Sequence, residues 1–114
     1  MTLTLYGIKN CDSVKKARKW LDKHNLAYVF HDFRDHGLDQ KTLSSWLTTL
    51  GVEQVINKRS TTWKQLDDID KQKVLAGKAL AITLANPTLI KRPVLDTGET
   101  LLVGFSEENY SQLT

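Results

Sequence analysis

Leu3 and Leu5 alternate with Thr2, Thr4 and Tyr6, the period-two pattern of a half-buried strand, and the run ends at Gly7. The period then changes. Val14, Ala17 and Leu21 recur at helical spacing with Trp20 beside them, while Arg18, Lys19 and Lys23 fall on the opposite face, so the pattern predicts a helix over about residues 13–24 with Asn25 as its stop. Residues 27–32, rich in aromatic and β-branched types, read as a second strand. Strand, helix and strand in this order form a βαβ unit, and a crossover of this length pairs its two strands in parallel.

Residues 34–37 read as a loop, after which Asp39 caps a helix with Leu43, Trp46, Leu47 and Leu50 on one face and Gly51 at its end. Residues 52–56 form a short apolar stretch. Thr62 is expected to cap a brief helix containing Trp63 and Leu66, and Asp70 to start another that reaches about Leu84, with Val74, Leu75, Leu80 and Leu84 inward and Gly77 a mild weakness within it. Asn86-Pro87 breaks this helix, and residues 88–90 make one turn. Pro93 then leads into Val94-Leu95-Asp96, Thr97-Gly98-Glu99 supplies turn chemistry, and residues 100–103 return, so the segment is an antiparallel hairpin. Ser106 caps a short terminal helix with Glu107 and Glu108 in its first turn. The expected fold is therefore α/β of thioredoxin/glutaredoxin-like plan, with a helical insertion between the βαβ unit and the C-terminal hairpin and helix.

Composition narrows the classes. A chain of 114 residues with 40% hydrophobic and 25% charged residues suits one domain, residues 1–114, with a core that needs no metal or disulfide. No apolar run is long enough for a signal peptide or membrane span, so a cytoplasmic location is expected, away from membranes. The formal charge of +3 is mild and its lysines and arginines form no basic block, so nucleic acid is not an expected partner. The three histidines show no metal-ligand spacing, and no metal site is expected.

One cysteine remains, and a lone thiol can pair only with a thiol from outside the chain. Cys11 falls on the strand-to-helix loop at the carboxyl end of the first strand, where ligands of βαβ units collect. The free amides of the first helical turn should face it, with Asp12 or Ser13 as the cap. Bringing an ordinary thiol to half ionisation near neutral pH takes roughly 2 kcal/mol of preference for the anion. A helix N-terminus contributes only about 0.3–1 kcal/mol. Cations must supply the rest: Lys9, Lys15 and Lys16 are the local ones, and the fold could bring others. The competing reading is a small buried apolar side chain, the usual role of a free cysteine.

Three segments, Lys9-Asn10-Cys11-Asp12, Asn57-Lys58-Arg59 and Asn86-Pro87-Thr88-Leu89-Ile90-Lys91-Arg92-Pro93, resemble the arsenate reductase (ArsC) family, and the likeness extends over essentially the whole chain. Within it the chain looks most similar to the small bacterial YffB-like branch, described as glutathione-dependent thiol reductases and related to the Spx regulators. The resemblance implies that Cys11 is the nucleophile, that Arg59 and Arg92 stabilise its thiolate and bind an anionic ligand, and that Pro93, cis in this fold, walls the pocket with Asn10 nearby. It also implies glutathione or another small thiol as co-substrate, an oxidised substrate whose identity is open, and no tightly bound cofactor. Where arsenate reductases of this family carry a third arginine the chain reads Leu102-Val103-Gly104-Phe105, so arsenate turnover is not expected. Val14 replaces the second cysteine usual in Spx regulators, which excludes an internal redox switch. The alternatives to a thiol reductase are an Spx-like module contacting RNA polymerase and a true arsenate reductase.

Overall fold

The computed structural model describes residues 2–114. In chain order they form β1 (Thr4–Gly7), α1 (Asp12–Lys23), β2 (Val29–Asp32), α2 (Phe33–His36), α3 (Gln40–Leu50), α4 (Val52–Val55), α5 (Thr61–Gln65), α6 (Asp68–Leu75), α7 (Ala79–Ala85), β3 (Val94–Asp96), β4 (Leu101–Val103) and α8 (Glu107–Tyr110). They divide into two compact units. One takes the residues up to His36 together with Arg92–Thr114, and the other is Gly37–Lys91.

The first unit holds a four-stranded sheet in the order β2-β1-β3-β4. β1 and β2 run parallel with Tyr6 opposite His31, as the crossover requires, and β3 lies antiparallel to both β1 and β4, with Tyr6 opposite Val94 and Leu95 opposite Leu102. The hairpin turn is fixed by its own polar atoms: the Thr97 N–H donates to the Thr100 carbonyl at 3.0 Å, and the Thr97 hydroxyl accepts the Thr100 N–H at 3.0 Å. Because strand side chains alternate, Leu3, Leu5, Leu95 and Leu102 share one face, and they bury it against Val14, Ala17, Trp20 and Leu21 of α1. Full burial of such a side chain is worth about 1.5–3 kcal/mol, so this contact is what holds α1 to the sheet.

Tyr110 of α8 completes that core. Its ring meets Trp20 and Phe105 edge-on at 5.5 and 4.9 Å, and its hydroxyl is buried without a hydrogen-bond partner among the described residues. Burial pushes its phenol well above the ordinary range. Tyr110→Phe keeps the ring contacts and removes an unsatisfied polar atom, so urea unfolding should show equal stability or a gain of up to about 1 kcal/mol.

The second unit is built on helices. Leu43 and Trp46 bury the inner face of α3, with Leu47 and Leu50 half-buried beside them, and Gly51 ends the helix at φ 83° as its position suggests. Ile56 and Ile90 form an antiparallel bridge, flanked by Asn57 N–H to Leu89 O (2.7 Å) and Lys91 N–H to Val55 O (2.8 Å).

Two expectations fail here. The single helix over about residues 70–84 is two, α6 and α7, because Gly77 takes φ 87° and turns the chain between them. That turn rotates the apolar stripe: Val74, Ala79 and Thr83 are buried, whereas Leu75 is 52% exposed. The caps also shift: Ser60, not Thr62, caps α5 by accepting the Trp63 N–H, and Asp67 caps α6 by accepting the N–H of Asp70, the residue expected to start that helix. No helix among the described residues is long and apolar enough to cross a membrane.

Candidate functional site

Cys11 is itself the N-cap of α1, at φ −115° and ψ 125°, and it is half-buried beside the core. Asp12 and Ser13, the expected caps, are exposed residues of the first turn. The Cys11 carbonyl accepts the Lys15 N–H at 2.9 Å, which anchors the residue to the helix, while its side chain makes no capping hydrogen bond. The sulfur thus sits at the positive end of a twelve-residue helix without being committed to an amide. Gly7 permits this approach, because a Cβ there would lie 2.6 Å from Val14 Cγ2.

Residues 8–10 connect β1 to Cys11, and their anchor lies on β2. The Asp32 carboxylate, 4% exposed, accepts the Lys9 N–H at 3.0 Å through Oδ2 and the Arg34 and Asp35 N–H groups at 2.7 and 3.4 Å through Oδ1. The last two bonds turn residues 33–36 into α2, where a loop was expected. The Lys9 ammonium pairs with Asp35 at 2.9 Å, a hydrogen bond that raises its pKa above the usual lysine value and directs its charge to that carboxylate.

Burial opposes the charge on Asp32, but the amides of Arg34, Lys9 and Asp35 outweigh it and hold the carboxyl below the usual range. An unfolded aspartate titrates near about 3.9. The folded form binds its proton less readily, so the stabilisation is fully present above that value and is lost as pH falls through the lower, folded one. Wild-type stability in urea should therefore drop between neutral pH and about pH 3 more than that of Asp32→Asn, which lacks the charge throughout.

The remaining residues singled out by sequence fall in both units. Arg92 and Pro93 enter β3, and since Tyr6 pairs with Val94 they lie at the end of the sheet from which the Cys11 loop leaves. The Arg92–Pro93 peptide bond is cis, Arg92 is half-buried, and the Pro93 carbonyl accepts the Gly104 N–H at 2.8 Å. Asn10 is exposed beside Cys11. Arg59 belongs to the second unit, exposed on a turn made by Asn57, whose side-chain oxygen accepts the Arg59 N–H at 3.0 Å and whose carbonyl accepts the Ser60 N–H and hydroxyl. Lys58 and Lys91 both turn to Glu53, one to its carboxylate at 3.1 Å and the other to its carbonyl at 3.1 Å.

The ArsC family profile matches residues 6–113, from the end of strand β1 to beyond α8. The chain belongs to the ArsC family. Among its solved ArsC-like neighbours, a YFFB protein is 45% identical over 97% of both chains with a TM-score of 0.92. An arsenate reductase (ArsC) related protein from Brucella melitensis is 44% identical, covering 98% of this chain and 93% of that one, with a TM-score of 0.77. The global transcriptional regulator Spx of Streptococcus mutans is 30% identical over 108 residues, 93% of this chain and 78% of the regulator. The α/β, thioredoxin-like class expected from the element order is the fold these ArsC structures share with the chain. Asp32 is the residue of this ArsC chain that sequence reasoning missed. The available signal was an aspartate followed by Phe33-Arg34-Asp35, the spacing of a capping acid.

Proposed function

We propose that this ArsC protein is a glutathione-dependent thiol reductase in which Cys11 is the nucleophile. The observation that carries the reading is a half-buried cysteine at the N-terminus of α1 whose sulfur is left out of the capping hydrogen bonds. Family membership supports it, as does the nearness of Arg92 to the same end of the sheet in the β1–β3 register.

In the proposed cycle the Cys11 thiolate attacks one sulfur of an oxidised substrate, for instance the glutathione sulfur of a mixed disulfide. The substrate sulfur leaves as a thiolate and takes a proton from water. Cys11 is then disulfide-bonded to glutathione, and a second glutathione thiolate attacks the glutathione sulfur of that bond, returning Cys11 and releasing glutathione disulfide. The net exchange is one mixed disulfide plus one reduced glutathione giving one free thiol plus glutathione disulfide, and because the resolving thiol comes from outside the chain, one protein cysteine suffices. Arg92, and Arg59 by its place in the family motif, are assigned to the thiolate and to the carboxylates of glutathione, which a guanidinium binds with two parallel N–H donors.

The test is turnover of a small glutathione mixed disulfide by the full chain with reduced glutathione, together with the rate of Cys11 alkylation against pH. Turnover and alkylation at pH 7 faster than that of free glutathione are expected, both falling in Arg92→Ala and Arg59→Ala. Absence of turnover with alkylation no faster than free glutathione would overturn the proposal. The 30% identity to Spx favours one second reading, a module contacting RNA polymerase. That reading predicts capture by purified polymerase that is indifferent to Cys11→Ser.

A further inference from the structure

The short connection 8–10 carries Cys11 but belongs to neither neighbouring element, since β1 ends at Gly7 and α1 starts at Asp12. Downstream, Cys11 is held by the Lys15 N–H on its carbonyl. Upstream, the hold comes from another element altogether. Asp32, at the end of the parallel neighbour β2, takes the Lys9 N–H on Oδ2 while its Oδ1 is fixed by the Arg34 and Asp35 amides. The carboxylate is therefore clamped on both oxygens, and charge-assisted bonds of this kind are about twice as strong as neutral ones. Lys9 is tied a second time through its ammonium to Asp35, so backbone and side chain of one residue both attach to the turn after β2.

We infer that Asp32 is the positioning residue for Cys11: its buried carboxylate fixes the loop that delivers the thiol to the N-terminus of α1. This rests on the reading of Cys11 as the nucleophile. A site two residues from its anchor stays in register only if that anchor is rigid, and Asp32 supplies rigidity that a flexible loop lacks. Its sign separates positioning from simple charge. Deleting a nearby negative charge would by itself favour the thiolate, whereas releasing the loop takes the sulfur from the helix end and disfavours it.

The experiment compares iodoacetamide alkylation of Cys11 against pH in the wild-type chain and in Asp32→Asn, with circular dichroism and urea unfolding to show that the variant is folded. Asparagine keeps the shape but puts an NH2 group against one of the three amides. Positioning predicts alkylation about three- to tenfold slower at pH 7 and a curve moved to higher pH. A curve that superposes on wild type, or moves to lower pH, overturns the inference. If Asp32→Asn does not fold, hydrogen exchange at the Lys9 amide of the wild-type chain decides: protection supports the anchor and exchange at the unstructured rate overturns it. The two readings fail separately, because the wild-type curve alone judges whether Cys11 is activated and the difference between curves judges Asp32.

Discussion

Cys11→Ser is expected to abolish glutathione-dependent disulfide reduction, a loss on the order of a thousandfold or more, while leaving the protein at least as stable as wild type. A hydroxyl is a far poorer nucleophile toward sulfur than a thiolate, and with one cysteine in the chain no other group can carry the mixed disulfide. Stability should move the other way. Cys11 holds the N-cap position of α1 without accepting a hydrogen bond from the first turn, and serine is among the best N-cap residues. Its hydroxyl can accept one of the amides that the sulfur leaves free. Urea unfolding and the turnover assay run side by side separate these effects. Residual turnover well above background in Cys11→Ser would remove the cysteine from the chemistry. A variant that is inactive because it is unfolded would show instead that the side chain has a packing role.

The same geometry shows which parts of the molecule are written in local pattern and which are not. β1 and α1 were legible because each has one periodic apolar face, and Leu3, Leu5, Val14, Ala17 and Leu21 are all buried as that periodicity requires, whereas β2 was legible from its aromatic and β-branched residues although Val29 is exposed and Asp32 is the residue it buries. The hairpin and the Ser106 cap were legible because turn and cap chemistry sits in the residues themselves, and Ser106 does accept the Asn109 N–H. The break between α6 and α7 was not. Apolar residues stand on both sides of Gly77, Val74 and Leu75 before it and Leu80 and Leu84 after it, so the pattern reads through a point where the backbone leaves the helix. Leu75, taken for core, ends up exposed as a result.

The candidate site divides in the same way. That Cys11 ends a strand and opens a helix follows from the change of period around it. The roles of Arg59 and Arg92 came from the family motifs, because an isolated arginine carries no mark of what it faces. The cap spacing of Asp32 is written in the chain, but its link to the cysteine loop is not: its partner there is a backbone amide, and an amide at Lys9 leaves no trace in the choice of side chain. Interactions between a side chain and a distant main chain are fixed by topology. In this protein that topology is the parallel register that sets Gly7 opposite Asp32.

Gly7→Ala should test how tightly that register delivers the cysteine. The added methyl would stand 2.6 Å from Val14 Cγ2 and 3.4 Å from Cγ1, and Val14 is fully buried in the first turn of α1. A valine in a helix has one strongly preferred rotamer, so the methyl cannot simply swing aside. Either the strand and helix separate or the clash is borne, and overpacking of this kind destabilises by about 1–3 kcal/mol in urea unfolding. Val14→Ala alone destabilises by deleting buried methyl groups, but combined with Gly7→Ala it removes the clashing atoms. The double variant should therefore lose less than the two singles added together, by about 1 kcal/mol or more. Because Val14 lies three residues after Cys11, Gly7→Ala should also slow Cys11 alkylation, and the double variant should recover part of that rate. Strict additivity in both measurements would mean that the contact between β1 and α1 does not govern where the sulfur sits.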